Sequence, residues 1–269
     1  LDSAVVLGEA RNRLFVRIAS WMERLCYQNS AKVVVVTKGC YQNALDKGVD
    51  PKKIEVVYNG ANVEMFRPAK KRNELKRKYG YTGKFVVLYA GNFGLVHGMS
   101  TLVETVRLLR SENSIEFLFV GDGPLRGEML RLREKYRLLN LKILDEVPRK
   151  KIIDYLNLAD VCLVSAKRTR FSCVLLPVKM FDAWACGRPI ILSVDGEAKE
   201  HLEIAKAGMA VKPEDSRGIA DAIKYLLNNP RLREEYGGNG RRYVEKHFSR
   251  KVQAERLEKT LLEVLSKPR

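Results

Sequence analysis

FVVLYAGNFGLVHGMSTLVETVRLLRSENSIEFLFVGDGP, residues 85–124, is the stretch that determines the class of fold. Two apolar runs within it, 85–90 and 115–120, each end at a glycine, which is typical of short buried strands. Between them, residues 99–110 carry apolar side chains at helical spacing. A strand, a helix and a second strand in this order predict two parallel strands joined by a right-handed crossover.

The same alternation continues to about residue 211. Further buried strands are predicted at 141–144, 161–164, 189–192 and 209–211. Helices are predicted from 125 to about 139 and at 150–157, 177–186 and 197–206. After Pro213 the pattern is helical only, at 216–228, at 230–247 and from 249 onward, the last helix with a leucine stripe at Leu257, Leu261, Leu262 and Leu265. The pattern favours an α/β fold with a Rossmann-like, doubly wound parallel sheet.

The first 60 residues follow the same alternation but contain few elements. The pattern predicts a helix at 14–27, a strand at 32–37, a helix at 41–47 and a strand at 54–57. About one and a half αβ units are too few to close a doubly wound domain. We therefore interpret this segment as the tail of a lobe whose beginning is absent.

The composition indicates a soluble, intracellular type of chain. Of its 269 residues, 46% are hydrophobic, enough for a sizeable core, yet no apolar run is long enough to span a membrane. There is no recognisable secretory signal. The five cysteines are odd in number and lack CxxC spacing, which favours reduced thiols. We therefore expect a cytoplasmic protein.

The formal net charge of +17 predicts an attraction to polyanions without choosing among them. No basic strand with interleaved aromatic residues is present, so we expect no nucleic-acid partner. The three histidines are far apart in the sequence, and a metal site built from them is disfavoured.

Ligands of an open α/β sheet bind beyond the carboxyl ends of its strands, and this rule selects four loops. They are residues 91–98, 121–124, 145–148 and 165–176. The first contains three glycines before a helix start, where free backbone N–H groups suit a phosphate. Close packing of the turn is the alternative reason for those glycines.

The segment LLPVKMFDAWACGRPII, residues 175–191, is the second candidate for a phosphate site. If Pro177 is the first helical position, Lys179 is the third and Asp182 the sixth. A cation in the first turn opposes the helix dipole, so local stability does not explain Lys179, whereas a diphosphate in front of the helix would. A surface ion pair between Lys179 and Asp182 is the alternative. The preceding loop holds three cations at 167, 168 and 170, and Arg170 is the one that would reach inward if the loop borders a diphosphate pocket. A solvated loop without a binding role is the favoured alternative.

Two further basic segments have simpler interpretations. The run at 70–72 with 76–78 is interpreted as a solvated linker and helix face. The helix at 11–27 sets four arginines beside a Leu, Phe and Trp face. That face suits an anionic membrane surface, but packing onto its own lobe is the favoured interpretation.

Together these segments resemble the donor-binding half of a GT-B glycosyltransferase of family 4, also called glycosyl transferases group 1. Residues 54–60 with 66–68 are similar to the family's segment between lobes, and residues 88–98 are similar to its phosphate loop. Four more segments are similar to family motifs in the family's order: 119–124, 158–161, 181–190 and 237–248. The resemblance extends over nearly the whole chain.

The resemblance implies two lobes with a cleft between them, retention at the anomeric carbon, and no metal or other cofactor. It implies a nucleotide-sugar donor, expected to be a UDP-sugar, and a glycan acceptor that can be lipid-linked. Residues 1–62 would be the tail of an incomplete N-terminal acceptor lobe. Residues 63–248 would be the donor lobe, and residues 249–269 a helix that crosses back to the first lobe.

The resemblance also implies roles for individual residues. Lys179 would pair with the donor diphosphate, and Asp182 would accept hydrogen bonds from the ribose or the transferred sugar. Val147 would border the base. The remaining residues expected around the donor are Gly91, Asn92, Gly94, His97, Gly98, Asp122, Arg170 and Pro177.

The chain departs from the family pattern at two places. The family's paired glutamates fall on Val174 and Asp182, so the first carboxylate is absent, and His97 stands where many relatives have lysine. A branch that moves N-acetylated deoxyamino sugars onto lipid-linked diphosphates also lacks the first glutamate, and this chain keeps that branch's Pro177 and Lys179. A glycosyltransferase is therefore the first interpretation. A non-catalytic or truncated donor-lobe remnant that acts as a binding subunit is the alternative.

Overall fold

The computed structural model describes residues 12–70, 72–169 and 172–266, and Arg170 therefore lies outside the described residues. The strands are β1 (Val33–Val35), β2 (Ile54–Val56), β3 (Phe85–Ala90), β4 (Ile115–Val120), β5 (Leu141–Leu144), β6 (Val161–Ser165), β7 (Ile190–Ser193) and β8 (Gly208–Ala210). The helices are α1 (Arg13–Asn29), α2 (Lys38–Asp46), α3 (Arg72–Lys78), α4 (Met99–Leu108), α5 (Arg126–Lys135), α6 (Arg149–Leu158), α7 (Val178–Ala185), α8 (Glu197–Ala205), α9 (Ser216–Asn228), α10 (Pro230–His247) and α11 (Arg250–Leu265). Among these described helices, none is long and apolar enough to cross a bilayer.

Six strands form one parallel sheet in the order β5-β4-β3-β6-β7-β8. The chain thus starts in the middle of the sheet, builds outward to β5, returns to the centre at β6 and builds outward in the other direction. This is the doubly wound Rossmann order, and the prediction of an α/β parallel sheet is confirmed. The order reverses between β3 and β6, and the carboxyl ends of these two strands flank the crevice where such sheets bind ligands.

The central strands are apolar on both faces because helices cover both. Along β3, Val86 and Leu88 belong to one buried cluster, whereas Phe85, Val87 and Tyr89 belong to the other. The first cluster includes the buried side chains of α7, and the second includes those of α4 and α9. This two-sided burial explains why β3 appears in the sequence as a continuous apolar run rather than an alternating one.

The N-terminal segment forms a separate two-stranded parallel sheet of β1 and β2. Its strand β1 is shorter than the predicted 32–37, because Thr37 instead caps α2 by accepting the backbone N–H of Cys40 at 3.0 Å. A small core beneath it contains Val33, Ala44, Val49 and Ile54. The assignment of residues 1–62 to an incomplete lobe stays a prediction.

The end of the chain returns to this N-terminal segment. Ala61 lies opposite Ser249 at the start of α11: its amide donates to the carbonyl of Phe248 and its carbonyl accepts the amide of Arg250, each at 2.9 Å. The amide of Tyr58 donates to Oε1 of Gln253 at 2.9 Å. The predicted leucine stripe of α11 is exposed, at Leu257, Leu261, Leu262 and Leu265. The apolar face of α1 is exposed as well, at Leu14, Phe15, Ile18, Trp21 and Met22. Neither face is covered by the described part of the chain.

The interpretation of 70–72 and 76–78 as a solvated basic face was wrong for Arg72 and Lys76. Both bond to Asp160, whose side chain is only 6% exposed: Arg72 Nη2 to Oδ1 and Lys76 Nζ to Oδ2, each at 2.6 Å. Oδ2 also accepts the amide of Val86 in β3 at 2.8 Å. Although burial opposes ionisation, the charges of Arg72 and Lys76 hold the pKa of Asp160 below its ordinary value.

Replacement of Asp160 by asparagine is expected to destabilise the chain by about 3–5 kcal/mol, because it leaves the buried ammonium of Lys76 without a counter-charge. The contribution of the wild-type carboxylate to the free energy of unfolding is fully present above its unfolded-state pKa of about 3.9. It is lost as the pH falls through the lower folded-state pKa. Urea unfolding of both proteins at several pH values measures it. The matched control is Glu203→Gln, which removes the exposed pair with Lys199 and should change stability by less than about 1 kcal/mol. Equal effects of the two substitutions would contradict the assignment.

Candidate functional site

A cavity of about 600 Å³ opens at the carboxyl ends of β3 and β6, where the strand order reverses. Its walls come from the loops after β3, β4 and β5 and from the first turns of α6 and α7. The polar and charged lining residues are Asn92, Asp122, Glu146, Arg149, Lys179 and Asp182. Aliphatic side chains at Val147, Ile152 and Val178 complete an otherwise apolar wall.

The floor of the cavity requires glycine at two positions. Gly91 and Gly121 have φ values of 138° and 152°, which side-chain-bearing residues rarely adopt. A Cβ at Gly121 would lie 2.0 Å from the carbonyl oxygen of Gly91, so the two loops can only meet as bare backbone. A Cβ at Gly91 would lie 3.1 Å from Nζ of Lys179. Close packing of the two loops is thus sufficient to explain why residue 121 is a glycine. The glycine at residue 91 also leaves room beside the Lys179 ammonium.

Lys179 is held at the floor by a short hydrogen-bond chain. Its ammonium donates to the hydroxyl of Tyr89 at 2.9 Å, and that hydroxyl donates to the carbonyl oxygen of Asn92 at 2.8 Å. The same ammonium lies 4.1 Å from the centroid of the Tyr89 ring, within the range of a cation–π contact. Tyr89 therefore fixes the lysine against the start of the glycine loop.

No carboxylate among the described residues pairs with Lys179, so no negative charge offsets the effect of burial on its pKa. Burial of the ammonium lowers the pKa of Lys179 from 10.5 to about 7. Burial and the Lys179 charge lower the pKa of His97 to about 4, so that imidazole is neutral at physiological pH. Lys179 is therefore a buried cationic group for which the described residues supply no anion.

Asp182 pairs with a residue of a different helix. Its carboxylate oxygens lie 3.2 Å and 3.4 Å from Nη2 of Arg149 at the start of α6. Burial raises the pKa of Asp182 to about 6, and the Arg149 charge opposes this rise. The alternative of a surface ion pair between Lys179 and Asp182 was therefore wrong, because each side chain has its own partner.

The predicted site residues lie in three positions. Gly91, Asn92, Asp122, Val147, Lys179 and Asp182 line the cavity. Gly94, His97 and Gly98 lie behind it, in the loop that docks on β6 through the bond from Ser165 Oγ to the His97 carbonyl at 2.7 Å. Pro177 is the N-cap of α7 rather than its first helical residue, and Val178 beside it lines the cavity.

Sequence reasoning missed Arg149 and Tyr89. Arg149 follows Pro148 at the start of α6, a position that only the fold brings opposite Asp182. Tyr89 lies in a buried apolar strand, where its ring packs against Phe119 and its hydroxyl points to the cavity floor. A polar tip on an otherwise aliphatic strand end was the signal available in the sequence.

No cluster of three or more His, Cys, Asp or Glu side chains that could hold a metal occurs within the described ranges. The expectation of a metal-independent site stays a prediction.

Comparison with protein families gives two matches. The model of glycosyl transferases group 1 matches residues 71–243, and the model of Glycosyltransferase Family 4 matches residues 6–65. The first match spans more than half of the chain and includes every residue that lines the cavity.

Individual proteins match along most of the chain. The α-D-kanosaminyltransferase of Streptomyces kanamyceticus is 25% identical over 89% of this chain, and the N-acetyl-α-D-glucosaminyl L-malate synthase of Bacillus anthracis is 27% identical over 80%. The chain spans only 63% and 55% of the length of these relatives. Anabaena HepE, solved in complex with UDP-glucose, superimposes with a TM-score of 0.81 over 95% of this chain and 69% of its own, at 16% identity.

Replacement of Lys179 by methionine is expected to stabilise the chain, and to do so less as the pH rises. The unfolded lysine keeps its proton up to about pH 10.5, whereas the folded one loses it near 7, so burial of the charge destabilises the wild type fully below pH 7. That penalty shrinks between the two values. Urea unfolding at about pH 6.5 and about pH 9.5 measures the difference. The control is Lys212→Met at an exposed lysine, and an equal effect of K179M at both pH values would contradict the inference.

Proposed function

The chain belongs to the glycosyl transferases group 1 family, and on that premise we propose that it transfers a sugar from a UDP-sugar to a glycan acceptor. The carrying observation is the unpaired ammonium of Lys179 at the floor of a large cavity at the sheet's switch point. A nucleotide diphosphate supplies the negative charge that this ammonium lacks.

The diphosphate would lie between Lys179 and the loop that begins at Gly91. The ammonium has one hydrogen bond to Tyr89, and its remaining N–H groups can donate to phosphate oxygens. The bare backbone at Gly91 allows a close approach. Binding would return Lys179 to its charged form, because a neighbouring dianion favours the protonated amine.

Asp182 and Arg149 would bind the sugar side of the donor. With a pKa of about 6, the Asp182 carboxylate is mostly ionised at neutral pH and can accept hydrogen bonds from two hydroxyl groups. Arg149 keeps that carboxylate oriented toward the cavity. The aliphatic wall of Val147 and Ile152 would border the base. The Anabaena HepE complex with UDP-glucose supports uracil as that base.

The proposed reaction breaks the bond between the anomeric carbon and the diphosphate oxygen, with the electron pair leaving on the diphosphate. The acceptor hydroxyl forms the new bond to the anomeric carbon on the same face and passes its proton to the departing diphosphate oxygen, which gives retention. Lys179 would stabilise the charge that develops on the leaving diphosphate, without a metal ion. Asp182 would orient the sugar, and this positioning would supply the remainder of the rate enhancement.

The acceptor side of the reaction needs more than the described chain contributes. Relatives of this chain extend well beyond it, and the acceptor is proposed to bind in the cleft between the donor lobe and an N-terminal lobe. A lipid-linked glycan is the proposed acceptor, because the exposed apolar face of α1 with Arg13, Arg17 and Arg24 suits an anionic membrane surface. Cytoplasmic location at the inner face of the membrane follows from that proposal.

One observation favours a second candidate, a donor-lobe subunit without transferase activity of its own. Val174 stands where the family has its first glutamate, and it packs against Gly39 of the N-terminal segment: a Cβ there would lie 2.4 Å from Val174 Cγ1. The residue thus serves contact between segments and does not line the cavity. Donor binding without sugar transfer would be the signature of this candidate.

Calorimetric titration without added metal tests the donor site. We expect UDP to bind more tightly than GDP or ADP, and Lys179→Ala to weaken UDP binding by about tenfold or more, since a charge-assisted hydrogen bond is lost. Lys212→Ala, at an exposed lysine, is the matched control and should leave binding unchanged. Absence of nucleotide binding in the wild type would contradict the proposal. Transfer from UDP-sugars to acceptor glycans, followed by mass spectrometry, separates the enzyme from the second candidate.

UDP binding at about pH 8 is expected to take up close to one proton. In the free chain Lys179 is mostly neutral at that pH, since its pKa is about 7, and the bound diphosphate would restore its charge. Titrations in buffers of different ionisation enthalpy measure the uptake. Lys179→Met should abolish it, and an uptake that survives in this variant would assign the proton to another group such as His97.

A further inference from the structure

A second cavity, of about 410 Å³, opens at the opposite end of the sheet, beside the amino ends of β6 and β7. Its walls are the turn at 187–189 between α7 and β7, the start of α3 and the first half of α10. Five arginines line it: Arg72, Arg188, Arg233, Arg241 and Arg242. The carboxylates on its lining are those of Asp160 and Glu234.

Backbone carbonyl groups hold three of these arginines in place. Arg72 donates to three carbonyls at the end of α6, and Arg233 donates to two at the end of α9 while stacking 5.1 Å from the ring centroid of Phe85. Arg241 donates to the carbonyl of Val63 at 3.0 Å and to that of Phe66 at 2.6 Å. Carbonyl acceptors orient the guanidinium groups without neutralising them. Arg72 also pairs with Asp160, and Arg241 pairs with Glu245 at 2.6 Å, whereas Arg233 pairs with no carboxylate among the described residues.

Carboxylates neutralise only part of this charge. Both oxygens of Asp160 already bond to Arg72 and Lys76, and Glu234 is exposed. Among the described residues, Arg188 pairs with no carboxylate and makes one side-chain hydrogen bond, from Nε to the carbonyl of Cys186 at 3.1 Å. Burial and the neighbouring charge of Arg72 lower the pKa of Arg188. The cavity therefore keeps a net positive charge, from Arg188, Arg233 and Arg242, in a partly desolvated setting.

Two glycines keep the cavity open next to Arg188. A Cβ at Gly237 of α10 would lie 2.2 Å from the carbonyl oxygen of Gly187, so helix and turn meet with no side chain between them. Gly187 has a φ of 66° and lets the chain turn sharply from α7 into Arg188. The N-terminus of α10 at Pro230 lies on the rim, and its N-cap Asn229 makes no side-chain capping bond. The positive end of the helix dipole adds to the arginine charges there.

We propose that this second cavity binds a small anion bearing a phosphate or diphosphate group, with Arg188 and Arg242 as its donors and the other three arginines as a fixed wall. Arg242 also donates from Nη2 to Oδ1 of Asn239 at 2.6 Å, which orients its guanidinium group. The planar guanidinium fork of arginine suits phosphate oxygens, and the cavity volume falls in the range of about 300–1,000 Å³ typical of small-molecule sites. The site lies at the end of the sheet opposite to the donor cavity. It is therefore an addition to the proposed function and does not depend on it.

The probe is inorganic pyrophosphate, titrated calorimetrically at about 50 mM salt into the chain saturated with UDP. If UDP does not bind, Lys179→Ala serves as the titrated protein, so failure of the donor site does not decide this test. We expect one saturable site, weakened by about tenfold or more in Arg188→Ala with Arg242→Ala, and weakened less in Arg188→Lys. Arg231→Ala, at an exposed arginine in the first turn of α10 outside the lining, is the matched control and should bind as the wild type does.

Absence of saturable binding, or an equal loss in Arg231→Ala, would overturn the proposal, since the latter would reflect net charge alone. Thermal unfolding verifies that the arginine variants are folded. If Arg188→Ala does not fold, Arg188→Lys takes its place in the test. Flotation with vesicles containing phosphatidic acid then identifies the source of the phosphate. Vesicle binding that depends on Arg188 assigns a lipid phosphate, and pyrophosphate binding without it assigns a soluble compound.

Discussion

The ion pairs of the buried Asp160 carboxylate are the interaction on which the six-stranded sheet depends. It sits at the amino end of β6, accepts the amide of Val86 in β3, and bonds to two cations of α3. These contacts join the two strands between which the sheet changes direction. A charge placed there would be unfavourable without Arg72 and Lys76, so the helix α3 and the sheet centre stabilise each other. The position of the cavity that contains Lys179 follows, because it is formed by the other ends of the same two strands.

The lobe concentrates positive charge at both ends of this strand pair, in different ways. At the carboxyl end a single ammonium, Lys179, is held by Tyr89 and has a lowered pKa because it is buried. At the amino end several guanidinium groups are held by carbonyls and cannot lose their protons at ordinary pH. The first arrangement suits a ligand whose binding and release are linked to protonation. The second suits an anion held at constant charge.

Much of the fold follows from the sequence because each element has a strong local pattern. The apolar runs at β3, β4, β6 and β7 are buried on both faces, and the alternation with amphipathic helices leaves few topologies. Lys179 was also recognisable, since a cation in the first turn of an apolar helix contradicts the local rule. Arg149, Tyr89 and the ion pairs of Arg72 and Lys76 were not recognisable. Their partners lie 33 to 90 residues away in the sequence, and no local pattern reports such contacts.

The sequence by itself determined the class of fold, the order of strands and helices, the loops at the carboxyl ends of the strands, and the family resemblance. Hydrophobic periodicity and turn residues act over a few positions, so they can be read without coordinates. Only the tertiary structure decided which charges are paired. It separated Lys179 from Asp182, buried Arg72 and Lys76 beside Asp160, and gathered five arginines from three distant segments around one cavity. The free energy of a charge depends on its burial and its neighbours, and these exist only once the chain has folded.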